Sequence, residues 1–364
     1  MIAILAYIVI GFTVIQLLVS VVNLCFETYL PADGKTAGPL VSVLIPARNE
    51  EGNIGNILDD LLAQDYRNIE VLVFNDQSDD RTVEIVTSYT IPDKRIRLID
   101  SEGLPEGWLG KNFACHTLAL GARGDYFLFL DADVRISGNT IGRAVGFSEK
   151  KALDLISAFP KQIIITLGER MTVPVMNYIL VTLLPLVLVR KSRFSSLSAA
   201  NGQFMFFKST SYREMLPHEK VRKNMVEDIH IARMFKKSGK NVSCLLGDDY
   251  LSCRMYKGFE DAVNGFSKNV IAFFGNSFLL ALLFFVVTTF GFLAVLQATT
   301  PGVFAAYLAA YFAARIIVSI ASRQNVFYNM LLIIPLQFSL GLFIYRASIN
   351  RLFRRFQWKG RNLG

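Results

Sequence analysis

The sequence predicts an α/β domain with a mostly parallel sheet, joined to transmembrane α-helices, and two observations support this. Between residues 40 and 130, stretches rich in Val, Ile, Leu and Phe alternate with stretches of helical character, as in a parallel sheet covered by helices. Long runs without a charged residue flank this region, and a spanning helix needs about 20 apolar residues. A mean hydropathy of +0.38, in a chain that is 19% charged, agrees with a mixed soluble and membrane protein.

The first apolar run covers residues 2–26 and is long enough to span a bilayer. It lacks a basic start and a small-residue cleavage site before Glu27, so it differs from a signal peptide. We expect residues 1–30 to form a retained N-terminal transmembrane anchor.

Residues 38–268 have the mixed polar and apolar composition of one soluble domain. Its first strands are predicted at residues 40–46, 69–75, 95–100 and 125–130, with helices at 50–64, 79–89 and 111–122 between them. Ligands of parallel sheets gather at the carboxyl ends of the strands, so polar residues that follow these strands are the candidates for a site.

Asp131 and Asp133 follow the fourth predicted strand directly. If the strand continued, its alternation would put both carboxylates on one face. A divalent cation bound by one or two carboxylates keeps positions open for substrate phosphates. Because Asp is also common in turns, an ordinary strand-to-turn junction remains the alternative.

Two further candidates lie at neighbouring element ends. Asp76 follows the second strand, where its carboxylate could accept hydrogen bonds from a nucleobase or ribose, while Ser78 or Asp79 would cap the next helix. Lys111 opens a helix after a glycine-containing loop, a favourable position for binding phosphate. A solvated surface lysine is the alternative for Lys111.

Glu227 and Asp228 stand at the start of a predicted helix, where acids ordinarily complement the helix dipole. If Asp228 faces the cleft opposite Asp131 and Asp133, it is placed to act as a general base on an acceptor hydroxyl. The histidines and cysteines lack zinc-ligand spacing, so we expect no zinc site.

In this order, the motifs resemble the membrane-bound family 2 glycosyltransferases with the GT-A fold, a Rossmann-like fold of nucleotide-diphosphosugar transferases. The resemblance covers roughly residues 41–268 and includes a Pro-x-x-Asn-Glu element at the end of the first strand. It implies Asp228 as general base with Glu227 beside it, Mg²⁺ or Mn²⁺ on Asp133 and Asp131, and Arg254 and Lys268 on the acceptor or phosphate side. The donor-binding residues that it implies are Pro46, Arg48, Glu50, Asp76, Lys111, Asp131 and Asp133.

Motifs at residues 108–111, 254–256, 265–269 and 358–361 resemble, more narrowly, the bacterial branch associated with carotenoid and hopanoid biosynthesis. The resemblance implies inverting transfer of one sugar from a nucleotide-diphosphate sugar, expected to be a UDP-sugar, to an isoprenoid-type membrane lipid. The Gln-x-x-Arg-Trp element of processive polysaccharide synthases is absent between Asp228 and Lys268, which favours single transfer. A processive synthase, a nucleotidyltransferase and an inactive lipid-binding scaffold are the alternatives.

Residues 269–346 are predicted to hold two or three transmembrane helices, followed by a basic cytoplasmic tail at residues 347–364. The neighbouring membrane runs make nucleic acid an unlikely partner for the tail's positive charges. We expect a multi-pass protein of the bacterial inner membrane with a cytoplasmic catalytic domain. Three C-terminal crossings would leave the basic tail outside, so either the positive-inside rule fails here or one of the runs does not span. The candidates for a run that does not span are residues 302–322 and residues 324–345, which contain Pro335.

Residues 171–189 form one more charge-free stretch. A single crossing there would put Asp133 and Asp228 on opposite sides of the bilayer. With Pro174 and Pro185 in it, the stretch is predicted to be a broken or interfacial helix, and a buried helix of the soluble domain is the alternative.

Overall fold

The computed structural model describes residues 1–26 and 28–352, and the backbone alone at residues 353, 357–358 and 361–362. Most of the predicted basic tail, with the motif at residues 358–361, therefore lies outside the side chains that the structure describes. The strands are β1 Val41–Ala47, β2 Ile69–Asn75, β3 Ile96–Asp100, β4 Tyr126–Leu130, β5 Val134–Ile136, β6 Leu155–Phe159, β7 Lys161–Gln162, β8 Phe204–Lys208, β9 Val242–Leu246, β10 Leu251–Cys253, β11 Gln357–Trp358 and β12 Arg361–Asn362.

The helices of the N-terminal half are α1 Ile2–Cys25, α2 Ile54–Leu62, α3 Thr82–Thr90, α4 Gly110–Gly121, α5 Thr140–Lys151, α6 Leu167–Arg170, α7 Pro174–Leu183 and α8 Leu186–Lys191. Those of the C-terminal half are α9 Ser209–Met215, α10 Pro217–Lys220, α11 Glu227–Lys237, α12 Phe259–Asn269, a 3₁₀ helix Val270–Phe274, α13 Phe278–Ala298, α14 Pro301–Ala321, α15 Val326–Leu331 and α16 Ile333–Phe353.

The central sheet has seven strands in the order β3-β2-β1-β4-β8-β6-β9. All are parallel except β8, which runs antiparallel to both of its neighbours. The sequence prediction of the first four strands is confirmed to within one residue at each end. The prediction of a helix cap at Ser78 or Asp79 is wrong: α3 begins at Thr82, and Asp80 Oδ1 accepts the hydrogen bond from its backbone N–H.

Strand alternation divides the core between the two faces of the sheet. On β4, Phe127 and Phe129 belong to one hydrophobic cluster, whereas Leu128 and Leu130 belong to the other. The first cluster continues without a break into α7, α13 and α16, so one face of the sheet is packed against the apolar helices.

Among the residues that the structure describes, three helices are long and apolar enough to cross a membrane: α1, α13 and α14. Helix α1 buries a polar stripe, which includes Gln16 and Asn23, against α7. Asn23 donates to the carbonyls of Val181 and Leu184 and accepts from the backbone N–H of Leu186. The interruption between α7 and α8 leaves backbone N–H and C=O groups without helical partners. Asn23 supplies hydrogen bonds to these groups, as buried backbone polar groups need.

Residues 171–189 accordingly form two helices separated by a break at Leu184 and Pro185. Every residue of α7 up to Thr182 is buried, and the helix contacts α1, α14 and α16. This stretch lies inside the bundle of apolar helices, next to the sheet.

Helices α15 and α16 form a hairpin that enters the bundle and returns. Near the start of α16, Gln337 hydrogen-bonds Thr288 and Thr289 in the middle of α13. Near its end, the guanidinium of Arg351 lies over the ring of Phe278, the first residue of α13. Because α14 ends close to the sheet domain, where Arg323 pairs with Asp249 at 2.6 Å, both ends of the hairpin lie on the side of the sheet domain.

Candidate active site

A polar cavity of about 480 Å³ lies beside the carboxyl end of β4. The first turns of α4 and α11, the turn after β4, the loop before β8 and helix α12 surround it. Among the predicted site residues, those that line it are Lys111, Asp131, Asp133, Glu227, Asp228 and Lys268.

Asp131 and Asp133 lie in a turn, because β4 ends at Leu130 and the backbone N–H of Val134 donates to the Asp131 carbonyl at 3.1 Å. Their shared orientation into the cavity therefore comes from the turn and not from strand alternation, which corrects the reason given by the sequence. Burial, the charge of Asp131 and that of Glu50 raise the pKa of Asp133 to about 6.

Lys111 joins the acids on the two sides of the cavity. Its Nζ lies 2.7 Å from Asp131 Oδ1 and 3.5 Å from Glu227 Oε1. Burial alone would lower the pKa of this ammonium, but the carboxylates of Asp131 and Glu227 raise it well above the usual value. Lys111 is therefore an anchored cation inside the cavity.

Asp228 lies at the start of α11, and two backbone N–H groups hold its carboxylate in place. Its Oδ2 accepts from Gly202 at 3.0 Å and its Oδ1 accepts from Ile229 at 2.7 Å. Burial and the neighbouring Glu227 raise the pKa of Asp228 to about 7. A carboxyl group with this pKa can take up and release a proton near neutral pH.

Sequence reasoning missed the loop that completes the cavity, Asn201 to Gln203. The antiparallel pairing of β8 with β4 places the start of β8 beside the end of β4, so Gln203 accepts from the backbone N–H of Asp131 at 3.2 Å. Its side-chain amide lies 3.4 Å from Asp133 Oδ1 and 2.9 Å from Cys253 Sγ. The Asn-Gly-Gln sequence before a buried apolar run was the available signal.

Gly202 needs its small size in this loop. A Cβ there would lie 3.0 Å from Glu227 Oε1 and 3.1 Å from Lys111 Nζ. The loop thus approaches the charged groups as closely as a backbone can.

The remaining predicted residues do not line this cavity. Arg48 donates to the backbone carbonyls of Asp76 and Gln77, which ties the ends of β1 and β2 together. Pro46 lies within β1, and Glu50 follows that strand and acts on Asp133 through its charge. Arg254 pairs at 2.8 Å with the fully buried Glu169, away from the cavity lining.

Within the described part of the chain, no group of three or more His, Cys, Asp or Glu side chains forms a metal-binding cluster. Asp131 and Asp133 nevertheless supply hard oxygen ligands, and their mutual repulsion is what a cation relieves. The donor set fits a divalent cation that takes its other ligands from a bound diphosphate and from water.

The sheet domain is similar in sequence and in structure to known proteins. Residues 42–215 match the model of Glycosyl transferase family 2. Over 239 residues the chain is 26% identical to 4,4'-diaponeurosporenoate glycosyltransferase of Staphylococcus haemolyticus, which covers 63% of this chain and 60% of that protein. It is also 35% identical over 125 residues to the uncharacterized glycosyltransferase EpsJ of Bacillus subtilis, which covers 34% of this chain and 35% of that protein.

The chain thus spans about 60% of the length of the first of these relatives. Among solved structures, the mannosyltransferase of Pyrobaculum calidifontis in complex with GDP-Man and Mn²⁺ aligns with a TM-score of 0.59 at 17% identity. The alignment covers 98% of this chain and 100% of that structure. The predicted GT-A fold, with a mostly parallel sheet and added apolar helices, is confirmed.

Proposed function

Since residues 42–215 form a glycosyltransferase family 2 domain, we propose that the protein transfers one sugar from a nucleotide-diphosphate sugar to a membrane lipid, with inversion at the sugar carbon. One observation carries the proposal. A single cavity holds the acidic turn of Asp131 and Asp133, the cation Lys111, and the carboxyl of Asp228 with a pKa near 7.

The leaving diphosphate is proposed to bind at the turn after β4. Asp133, together with Asp131, would hold Mg²⁺ or Mn²⁺, which as a Lewis acid neutralises the charge that develops on the diphosphate. Lys111 adds a second positive charge on the same side. The relative of known structure that binds Mn²⁺ and GDP-Man supports the use of a divalent cation.

Asp228 is proposed to act from the wall formed by α11. As its carboxylate takes the proton from the acceptor oxygen, that oxygen forms a bond to the sugar carbon while the bond to the diphosphate breaks. The N–H groups of Gly202 and Ile229 orient the carboxylate for this transfer. Glu227 holds Lys111 beside it.

The nucleoside end of the donor is proposed to bind where β1 and β2 end. There Arg48 is fixed on the carbonyls of Asp76 and Gln77, and Glu50 follows in the same loop. Pro46 shapes the end of β1. The nucleotide base, predicted to be uracil, is the least constrained part of the donor.

The acceptor is proposed to be a lipid of isoprenoid type, because the relative from Staphylococcus haemolyticus is named for such a substrate and because the cavity adjoins the apolar helices. The missing Gln-x-x-Arg-Trp element supports addition of a single sugar. Lys268 lines the cavity from α12, which supports its proposed contact with the acceptor or the phosphates.

We propose a bacterial inner-membrane protein with its sheet domain in the cytoplasm and three crossings, α1, α13 and α14. In this arrangement the hairpin of α15 and α16 is re-entrant. It returns the chain to the cytoplasmic side, where Arg346 bonds Asn264 at 2.5 Å. The basic tail then obeys the positive-inside expectation.

Cysteine labelling tests the membrane arrangement. In a variant without the four native cysteines, Thr300→Cys should react with an impermeant maleimide in intact cells, and Ser348→Cys only after permeabilisation. Labelling of Ser348→Cys in intact cells would exclude a re-entrant hairpin.

The activity is tested with purified protein, Mn²⁺, UDP- or GDP-sugars and a bacterial lipid extract. Mass spectrometry should find lipids heavier by one sugar, with release of a nucleoside diphosphate. A ladder of sugar masses would instead identify a processive synthase, and release of pyrophosphate a nucleotidyltransferase. No reaction with any donor would favour an inactive scaffold.

A further inference from the structure

An apolar cavity of about 820 Å³, which we call the chamber, lies among the helices of the described part of the chain. It lies between α1, α7, α11, α13 and the 3₁₀ helix, next to the polar cavity. Among its lining residues only Arg233 carries a charge, and only Ser196 and Ser198 are otherwise polar. Its volume lies in the range of pockets that bind small molecules.

A small cavity of about 80 Å³, which we call the neck, adjoins both the chamber and the polar cavity, because it shares lining residues with each of them. Phe159, Ile229 and Phe273 line both the chamber and the neck. Asn201 and Asp228 line both the neck and the polar cavity. The proposed base therefore stands where the apolar space ends and the polar space begins.

At its other side the chamber is lined by two candidate membrane spans, α1 and α13. Three of its lining residues on these helices are about half exposed: Ile8 is 58% exposed, Leu280 54% and Leu283 49%. In a bilayer, exposed apolar surface on these spans would meet lipid chains, which would give a lipid access to the chamber without passing through water.

We propose that the chamber holds the hydrocarbon chain of the acceptor lipid, with the acceptor's nucleophilic oxygen in the neck at Asp228. The catalytic part of this statement rests on the proposed function; the binding part does not. A nucleotide sugar is excluded as occupant because its phosphates need several positive or N–H groups, and the chamber lining offers one cation.

Polar groups are placed for the head of such a lipid. The Oγ of Ser198 is buried and has no hydrogen-bond partner among the described residues. It lines the chamber at the loop that leads to Asn201 and Gly202, on the side of the neck. The head of the lipid can therefore be hydrogen-bonded while its chain fills the apolar space.

Two adjacent residues of α13 provide a matched test. Leu283 lines the chamber, whereas Leu282, which is equally exposed at 50%, does not. Leu283→Trp should fill the chamber, and Leu282→Trp should face lipid on the outside. In both variants donor binding measured by calorimetry should stay unchanged, because neither residue lies near the polar cavity.

The binding readout is photolabelling of the full-length protein in phosphatidylglycerol vesicles with a diazirine derivative of geranylgeraniol. The label should attach to peptides that contain residues 179–184 and 272–287, and excess geranylgeraniol should compete. Leu283→Trp should reduce this labelling by about tenfold, as expected for overpacking a cavity, and Leu282→Trp should not. Equal labelling in both variants would overturn the proposal.

Transfer assays separate this proposal from the catalytic one. With geranylgeraniol as acceptor, Leu283→Trp should lose about tenfold in kcat/KM, while transfer to the short alcohol isopentenol should be unchanged. If the chamber were labelled but no sugar were transferred, the proposed function would be contradicted and the proposed lipid site would be supported. If Leu283→Trp changed transfer to neither geranylgeraniol nor isopentenol, the proposed lipid site would be contradicted and the proposed function would stand.

Discussion

The polar cavity and the apolar chamber meet at the first turn of α11, and they are built in different ways. The polar residues come from the ends of elements that are distant in sequence, such as the turn after β4 and the starts of α4 and α11. The chamber is built mostly from the faces of long helices. Asp228 lines the first space and Ile229 the second, so two adjacent residues separate the proposed base from the proposed lipid site.

Because different parts of the chain form the two spaces, we expect that substitutions can alter the proposed reaction and the proposed lipid binding independently. Changes on the polar side should affect every acceptor equally, whereas changes in the chamber should depend on the length of the acceptor chain. The following variants test the polar side, in order of expected effect.

Asp228→Asn should cause the largest loss, about a thousandfold in kcat, because the amide cannot take the proton of the acceptor. Donor binding, measured by calorimetry with Mn²⁺, should remain within about twofold, since the substitution keeps the shape of the side chain. Glu214→Gln, an exposed acid-to-amide change far from the cavity, is the control. Turnover close to wild type would remove Asp228 from the role of base.

Asp133→Ala should weaken Mn²⁺-dependent donor binding by about a hundredfold, because the variant loses a proposed ligand of the cation. The loss should be seen equally with long and short acceptors. Asp65→Ala, an exposed acid outside the site, serves as control. An unchanged titration with donor and Mn²⁺ would contradict the metal assignment.

Gly202→Ala should lower kcat/KM by about tenfold to a hundredfold, because the new Cβ displaces Lys111 and Glu227 from their positions. The thermal unfolding midpoint should change little, since the two contacting groups are side-chain ends. Gly302→Ala, where nothing lies within 4 Å of the new Cβ, is the matched control. Full activity of Gly202→Ala would mean that the positions of these charges do not matter.

A change of one pH unit should have the smallest of these effects, and this effect should depend on the polar side alone. The base must be ionised, and the pKa of Asp228 is raised to about 7, so kcat/KM should fall by about tenfold for each pH unit below the midpoint. A bound cation favours the ionised form and shifts the midpoint below 7. A flat profile from pH 5 to pH 9 would contradict the assignment.

Much of the fold followed from local patterns. The first four strands were predicted to within one residue. The apolar run of a buried strand and the polar residues that end it are consecutive in the chain, so local sequence is enough to identify them. The later strands β6, β8 and β9 are short apolar segments without such a pattern, and they were missed. The break after α7 was anticipated from Pro174 and Pro185, yet Asn23, which hydrogen-bonds the backbone around the break, lies in a different apolar run.

The sequence by itself determined the acids and the lysine at element ends and the apolar runs that are long enough to span, because residue type and burial within a few residues decide those features. The tertiary structure alone decided that β8 brings Gly202 and Gln203 to Asp131 and Asp228. It also decided that α15 and α16 turn back and that the neck adjoins both cavities at Asp228 and Ile229. These are distances between residues far apart in the chain, which only the packing of whole helices on the sheet can set.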